Sequence, residues 1–218
     1  MLEQRVYALS DQAEIRALID RAGWATLVSG TSGDQLVVTH LPVILDPEST
    51  ELAVLSHLPK AEVAAHEFGE HDVVIIVQGP NGYISPAWYE AEPYAPTWNF
   101  MVAHLHGRPE LAGEAATYAI LEATVDHFES ARSRPWRLDS VEDFAHRLAA
   151  GVTGFRLAPD RVVAKAKLSQ DKPLPIIQRV IAALDNDPQH GNPELAGAMR
   201  RHFPGRRASI HPASSNRD

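Results

Sequence analysis

Apolar residues recur at helical spacing in one early segment and then in short, strand-like groups. Between residues 11 and 22 they return every three or four positions behind Asp11 and Glu14, whose separation is that of a capping box. This segment is therefore predicted to be a helix. Three β-branched segments separated by turn-rich stretches follow, at residues 24–29, 35–41 and 52–57. Short strands joined by tight turns are typical of an antiparallel meander.

The middle of the chain contains one strongly apolar segment and one stretch rich in aromatic residues. Residues 72–77 include the uninterrupted run Val73-Val-Ile-Ile-Val77, which predicts a strand at the centre of a sheet, covered on both faces. Residues 79–99 combine aromatic residues with prolines, a composition that favours neither a helix nor a central strand. They are predicted to form a loop of the kind that lines a planar ligand site.

The second half of the chain alternates helical and strand-like segments. Strands are expected at residues 100–111 and, as a pair, within residues 151–168. Helices are expected at residues 60–68, 113–130, 140–149, 174–185 and 194–203. Residues 204–218 are expected to be a disordered tail. The pattern as a whole predicts an α+β fold with an antiparallel sheet and helices at its periphery.

Composition excludes several classes of function. The 218 residues carry 20 Lys and Arg against 28 Asp and Glu, a net charge of −8, which disfavours general binding to nucleic acid phosphates. The four arginines Arg200, Arg201, Arg206 and Arg207 are therefore interpreted as part of a solvated C-terminus. The chain has no cysteine, so it has neither disulfides nor thiolate metal sites. No signal-peptide pattern or membrane-spanning apolar run is found, and a cytoplasmic location is expected.

The motifs of common enzyme classes are absent, and the remaining candidates are histidines, one lysine and aromatic residues. The sequence contains no GxGxxG or GxxxxGK[ST] phosphate loop, no GxSxG elbow and no HExxH pair. His104 and His106 share one face of a predicted strand, where they are either bonded to backbone or water or ligate a metal whose third ligand is not evident. Lys60, near the start of a predicted helical turn, is a candidate for binding a phosphate. No metal site is predicted.

A series of short strings runs along the chain: Thr39-His-Leu-Pro42, Val77-Gln-Gly-Pro80, Gly82-Tyr-Ile-Ser85, Ala87-Trp-Tyr89, Pro96-Thr-Trp-Asn-Phe100, Val102-Ala-His104, Gly151-Val-Thr-Gly-Phe155 and Lys165-Ala-Lys-Leu-Ser-Gln170. In order and spacing they resemble the PaiB-type FMN-binding negative transcriptional regulators, over roughly residues 1–203. The resemblance implies an antiparallel split β-barrel over residues 1–170, related to pyridoxamine-phosphate oxidases, with a C-terminal helical extension over 171–203. It also implies a homodimer with FMN at the subunit interface.

The resemblance further implies which residues contact the flavin nucleotide. The candidates for the phosphate or the ribityl chain are His57 and Lys60, and those at a strand end are Thr39 and His40. Hydrogen bonds to the flavin are expected from Gln78, Tyr83 and Ser85. The pocket would be lined or capped by Trp88, Tyr89, Trp98 and Asn99. Contacts from the far end of the barrel or from the partner subunit are expected from Lys167, Ser169 and Gln170.

Two other functions are compatible with the sequence. An FMN-dependent oxidoreductase would use the flavin for chemistry and oxidise NAD(P)H, whereas a regulator would not need to. A haem-binding relative of the same barrel would take its axial ligand from the group His40, His57, His104 and His106. The sequence does not contain a recognisable helix-turn-helix, so any regulatory action is expected to depend on the state of the flavin or on a protein partner.

Overall fold

The computed structural model describes Met1 and residues 4–203, and the expected disordered tail over residues 204–218 lies outside this described part. The chain divides into two compact units. The first consists of Met1–Gly79 and Met101–Lys165. The second consists, among the described residues, of Pro80–Phe100 and Ala166–Phe203. The boundaries expected from the sequence, at residues 170 and 203, stay a prediction.

Among the described residues, nine strands form two antiparallel sheets. They are β1 (Trp24–Gly30), β2 (Leu36–Pro42), β3 (Ile44–Leu45), β4 (Val54–Pro59), β5 (Val73–Ile84), β6 (Thr97–Gly107), β7 (Glu110–Leu111), β8 (Val152–Leu157) and β9 (Arg161–Lys167). The five-stranded sheet has the order β2-β1-β5-β6-β9 and the four-stranded sheet the order β3-β4-β8-β7. Strand β1 pairs antiparallel with both β2 and β5, and β4 pairs antiparallel with both β3 and β8. The α+β fold with antiparallel sheets is thus confirmed.

The six α-helices of the described residues are α1 (Gln12–Ala22), α2 (Lys60–Ala65), α3 (Glu114–Glu129), α4 (Glu142–Ala149), α5 (Leu174–Asn186) and α6 (Pro193–His202). The carboxylate of Asp11 accepts a hydrogen bond from the Ala13 amide at 2.8 Å, so Asp11 caps α1 through this amide. Gly23 ends this helix with a φ of +61°, a conformation that glycine adopts without strain. Within the described part of the chain, no helix is both long and apolar enough to span a membrane.

Helix α3 lies close to β8 because Gly154 has no side chain. A Cβ atom at Gly154 would come within 3.0 Å of the Thr117 Cα and 2.9 Å of the Ile120 Cδ1. The Gly154 amide donates a hydrogen bond to the Thr117 hydroxyl at 3.0 Å. In the register of β4 and β8, the residue opposite Gly154 is His57, so His57 belongs to the sheet face that α3 covers.

The prediction of a loop over residues 79–99 is wrong at both ends. Strand β5 continues through Gly79 and Pro80 to Ile84, and β6 begins at Thr97. Proline is tolerated because β1 pairs with β5 only as far as Val77, so the missing N–H of Pro80 breaks no hydrogen bond to β1. The stretch between the two strands is irregular apart from one short 3-10 turn, Pro86–Tyr89.

Strand β5 is the central strand of its sheet, as its apolar run predicts, but only one of its faces is covered. Val73, Ile75 and Val77 are buried in the first unit. Val74 and Ile76, which point to the other side, are only half-buried. The sequence predicts that both faces of β5 are buried. Within the described residues, only the face of Val73, Ile75 and Val77 is buried, and the other face is open.

Candidate functional site

The open side of strands β2, β1 and β5 in the first unit is a neutral and largely apolar surface, which we call the outer face. Across it, Thr26 lies between His40 and Ile76, and Val28 lies between Val38 and Val74. The outer face consists of the side chains that alternate with the buried ones along these strands: Trp24, Thr26, Val28, Leu36, Val38, His40, Val74, Ile76 and Gln78. Trp24, Leu36 and Val38 are 58%, 77% and 54% exposed. None of these side chains is a carboxylate, a lysine or an arginine.

One end of the outer face carries aromatic and polar groups. The rings of Trp24 and His40 stack with centroids 6.5 Å apart and planes 17° apart. The His40 Nδ1 lies 3.1 Å from the Thr26 hydroxyl, which orients the imidazole. Gln78, two residues beyond Ile76, is exposed on the same side of β5. The structure thus brings the predicted residues His40 and Gln78 to one surface.

Trp24 belongs to this surface and was not among the residues that the sequence analysis singled out. Its position as the first residue of β1, two before Thr26, places it on the outer face by simple alternation. The sequence shows a large aromatic residue at the start of a predicted strand, and the structure shows that this residue is exposed. Sequence alone could not identify it, because the alternation does not say which side of the strand is buried.

Thr39 points to the opposite side of β2 from His40. Its hydroxyl donates a hydrogen bond to the Glu62 carboxylate at 2.5 Å and lies 3.0 Å from the Nε2 atom of His66. Thr39 is therefore engaged with α2 and the residue that follows it. Its predicted contact with the flavin stays a prediction.

Lys60 is exposed at the first position of α2. Its ammonium group has no hydrogen bond or ion pair to another described residue. It lies on the wall of a cavity of about 500 Å³ that is also lined by the start of α3, the end of α4 and the start of β8. One carboxylate, that of Glu114, belongs to the same lining. An unpaired cation on a cavity wall is a group that can bind an anion.

His57 lies three residues before Lys60, near the end of β4. Its Nδ1 atom is buried and has no hydrogen-bond partner among the described residues. Burial lowers the pKa of His57, because the charged imidazolium loses hydration there. A neutral imidazole with an unsatisfied buried nitrogen is consistent with a polar ligand or a water molecule at His57.

In the second unit, the predicted residues of the irregular stretch make contacts within that unit. The Ser85 hydroxyl accepts a hydrogen bond from the Ala87 amide at 3.2 Å and caps the 3-10 turn. The Trp88 indole donates to the Asp187 carboxylate at 3.3 Å. Tyr89 is fully buried and its hydroxyl has no hydrogen-bond partner among the described residues. Arg179 donates to the carbonyl oxygen of Tyr89.

Two further predicted residues of the second unit form a surface aromatic pair. The Tyr83 and Trp98 rings meet edge to face with centroids 6.3 Å apart. The Trp98 indole donates a hydrogen bond to the Asn81 side chain at 3.2 Å, which leaves the ring itself exposed. Of the predicted residues in this unit, these two offer an aromatic surface to a ligand.

The remaining predicted residues of the second unit are tied to one another or to the backbone. The Asn99 amide donates to the Ser169 hydroxyl at 2.8 Å, and both residues are buried. The Gln170 side chain bonds at both ends to nearby backbone, donating to Ala166 and accepting from Leu168. Lys167 donates to the Thr97 hydroxyl. These bonds account for the local fold, and the flavin contacts predicted for these residues stay a prediction.

The histidine pair on β6 lies beside a cation. The ring centroids of His104 and His106 are 6.3 Å apart, and the Arg161 guanidinium lies 3.1 Å from the His106 Nδ1. Burial, and to a smaller degree the Arg161 charge, lower the pKa of both histidines. Neither belongs to a group of three metal-ligating side chains in the described part of the chain, where Glu67, Glu70 and His71 form such a group. Its Glu67 carboxylate already accepts hydrogen bonds from Ser32.

Comparison with known proteins identifies the family. Over residues 1–161, most of its length, the chain matches the protein family described as "Putative FMN-binding domain". The chain belongs to this FMN-binding family. It is also 24% identical over 197 residues to the Protease synthase and sporulation protein PAI 2 of Bacillus subtilis, an alignment that covers 89% of this chain and 94% of that protein. The PaiB-type resemblance inferred from the short strings is thus confirmed.

Solved structures of similar fold support the architecture of this FMN-binding protein. An FAD and haem binding protein from Mycobacterium smegmatis aligns with a TM-score of 0.55 at 16% identity, over 78% of each chain. The flavocytochrome Anf3 from Azotobacter vinelandii aligns with a TM-score of 0.54 at 20% identity, over 73% of this chain and 68% of its own. At such identities the likeness concerns the fold alone, and the split-barrel prediction is confirmed.

One buried and one half-buried histidine of this protein predict how its stability depends on pH. Burial lowers the pKa of His57 and of His66 below the value of about 6.5 that a histidine has in the unfolded chain. The unfolded chain therefore binds protons first, so we expect the free energy of unfolding to be highest above about pH 6.5 and to fall as the pH is lowered towards the folded-state pKa values. Each histidine contributes at most about 1.4 kcal/mol per pH unit.

Chemical denaturation between about pH 8 and about pH 5 measures this dependence. Other groups also titrate in this range, so the informative quantity is the difference between the wild type and His57→Gln or His66→Gln. Each variant is expected to flatten the fall in stability on the acid side. A variant whose curve runs parallel to that of the wild type would show that the replaced histidine titrates equally in both states.

Proposed function

We propose that this chain binds FMN with its first unit, works as a homodimer and acts as a negative regulator of transcription. The observation that carries the flavin assignment is the unpaired Lys60 on a cavity wall in a chain of net charge −8 that belongs to an FMN-binding family. The residues proposed to hold the nucleotide are Lys60 and His57 for the phosphate end, and His40, Gln78 and Trp24 for the ring.

The phosphate end is the part of FMN for which Lys60 is suited. A phosphate carries close to two negative charges, and its attraction to a lysine gives a charge-assisted hydrogen bond about twice as strong as a neutral one. Lys60 is free to make that bond because no described carboxylate is paired with it. His57, with an unsatisfied Nδ1, supplies a second polar atom at the same end of β4.

The ring of FMN is flat and apolar on its faces and polar at its edge. The stacked pair Trp24 and His40 offers an aromatic surface, and the exposed Gln78 amide offers both a donor and an acceptor. Thr26 fixes the orientation of His40 and so favours one geometry of contact. Bound FMN supplies one- and two-electron redox chemistry.

The homodimer is supported by the apolar part of the outer face. An isologous dimer needs a surface that fits a second copy of itself, and each copy here carries a net charge of −8. Two copies approach with least repulsion at a surface that lacks charge, which describes the outer face. The half-buried Val74 and Ile76 of the central strand, and the free edge of β2, would then be covered by the partner.

The regulatory role is carried over from the PaiB-type resemblance and from the Bacillus relative, which is named for protease synthesis and sporulation. With a net charge of −8, the chain is poorly suited to strong direct contact with DNA. We therefore propose that it regulates through the state of the flavin or through a protein partner. The flavin contacts of the second unit, with Tyr83 and Trp98 foremost, and the cytoplasmic location are kept as predictions.

The visible absorption spectrum of the purified protein is the first test. We expect a flavin spectrum, release of FMN on denaturation as identified by mass spectrometry, and no continuous oxidation of NAD(P)H by the loaded protein. Rapid turnover of NAD(P)H would instead support an FMN-dependent oxidoreductase. A Soret band would support the haem-binding alternative, and a colourless protein that does not take up added FMN would contradict the proposal.

A further inference from the structure

Four polar side chains form a continuous hydrogen-bonded chain inside the first unit. The Ser29 hydroxyl lies 2.6 Å from the His66 Nδ1, and the Thr39 hydroxyl lies 3.0 Å from the His66 Nε2. Thr39 in turn donates to the Glu62 carboxylate at 2.5 Å. Ser29 and His66 are fully buried. The chain links β1 and β2 to α2 and to the residue that follows it.

The Glu62 carboxylate and the neutral His66 ring determine which group donates in each of these hydrogen bonds. A carboxylate can only accept, so the Thr39 hydroxyl uses its hydrogen to reach Glu62 and must accept from the His66 Nε2–H. Burial lowers the pKa of His66, so the ring is neutral and carries a single N–H, at Nε2. The His66 Nδ1 is then a lone pair, which accepts the Ser29 O–H. Each hydrogen bond in the chain depends on its neighbours.

Helix α2 is held in place by polar bonds rather than by apolar packing. It has six residues, none of them buried, and a helix this short is not stable in isolation. Three polar contacts, spread along its length, hold the helix to the rest of the first unit. The Lys60 amide donates to the Gly151 carbonyl at 3.0 Å, the Glu62 carboxylate accepts from Thr39, and the His66 ring enters the interior just after the helix ends. Lys60 occupies the first position of this helix.

We propose that His66 is a positioning residue, which holds α2 through Thr39 and Glu62 and thereby sets where the Lys60 ammonium stands. This inference rests on the proposed function, in which Lys60 binds the phosphate of FMN. It assigns a role in recognising the phosphate to a side chain that is too deeply buried to touch any ligand. Its consequence is selective: His66 supports binding of FMN but not of riboflavin, which has the same ring and no phosphate.

A double-mutant cycle between His66→Leu and Lys60→Met tests this inference. Dissociation constants for FMN and riboflavin are measured from the change in flavin fluorescence on binding. We expect His66→Leu to raise the constant for FMN about tenfold, the size found when a residue that orients a binding group is removed. The constant for riboflavin should change by less than about twofold, and the effect on FMN should vanish when Lys60 is already methionine.

The conservative variant provides a rescue. In His66→Gln the side-chain amide can still donate to the Thr39 hydroxyl, so FMN affinity is expected to return most of the way to the wild-type value. If His66→Leu does not fold, Thr39→Val replaces it in the cycle, since it removes the same link with a side chain of the same shape. Thr124→Ala is the control, because it removes a buried hydroxyl whose bond, to Ile120, is local to α3.

The outcomes separate the inference from the function on which it rests. Equal loss of FMN and riboflavin binding, or a loss that persists in the Lys60→Met background, would mean that His66 acts only on the general fold and would overturn the inference. If Lys60→Met weakens FMN binding and His66→Leu does not, the inference alone fails. If Lys60→Met has no effect, the phosphate assignment of the proposed function fails and the inference fails with it.

Discussion

Replacing Lys60 with methionine is expected to weaken FMN binding by about 10- to 100-fold, the loss that follows from removing one hydrogen bond to a charged group. Riboflavin binding is expected to change by less than about twofold, because the replaced ammonium is assigned to the phosphate alone. Titration of the flavin by fluorescence measures both constants. Methionine is unbranched like lysine and only one atom shorter, so the cavity wall keeps most of its shape.

A matched variant separates a local contact from the effect of total charge. Arg108→Met removes one positive charge from an exposed position in the same unit, where the arginine pairs with Asp72. It is expected to leave FMN affinity unchanged at moderate salt, because Arg108 does not line the cavity and salt screens exposed charges. An equal weakening in both variants would show that Lys60 acts only through the overall field of the protein.

Placing a lysine at Val38 is expected to convert the homodimer into a monomer. Val38 is 54% exposed in the isolated chain, so the lysine should not disturb folding, but in the dimer it would bring two like charges together within an apolar interface. Light scattering coupled to size-exclusion chromatography measures the mass in solution. The wild type is expected at twice the mass of the 23.9 kDa chain and the variant at the mass of one chain.

Leu148→Lys is the control for this experiment. Leu148 is 58% exposed on α4, which contacts α3 and β8, a strand of the four-stranded sheet, and it belongs to the same unit. The same change of side chain there is expected to leave the dimer intact. If Leu148→Lys produces monomers and Val38→Lys does not, the partner binds at α4 and the assignment of the outer face is incorrect.

Much of the fold could be predicted because it depends on local patterns. Asp11 at the start of α1 and the apolar run of β5 each predict their element from a few neighbouring residues. The continuation of β5 through Pro80 could not be predicted in this way. Proline is excluded from a strand only where a neighbouring strand requires its N–H. That β1 pairs with β5 only as far as Val77 is a property of the sheet and not of the local sequence.

The candidate site was predicted in part, for a similar reason. His40, His57, Lys60 and Gln78 were identified by resemblance, and the structure shows the surroundings of each. Ser29, Glu62 and His66 were missed, because Ser29 is 37 residues from His66 and no short motif joins them. A serine, a glutamate and a histidine at such distances are common in any sequence. Only the folded arrangement of two strands and one helix turns them into a connected chain.

The absence of buried side chains in α2 also bears on how a bound nucleotide would leave the protein. Segments that bury little apolar surface open in the native state at a lower free energy than the whole molecule requires for unfolding. Amide hydrogen exchange in α2 should accordingly be faster than in β1 or β5. Transient opening of this one helix would release the phosphate end while the sheet stays intact, so exchange of the cofactor would not have to wait for global unfolding.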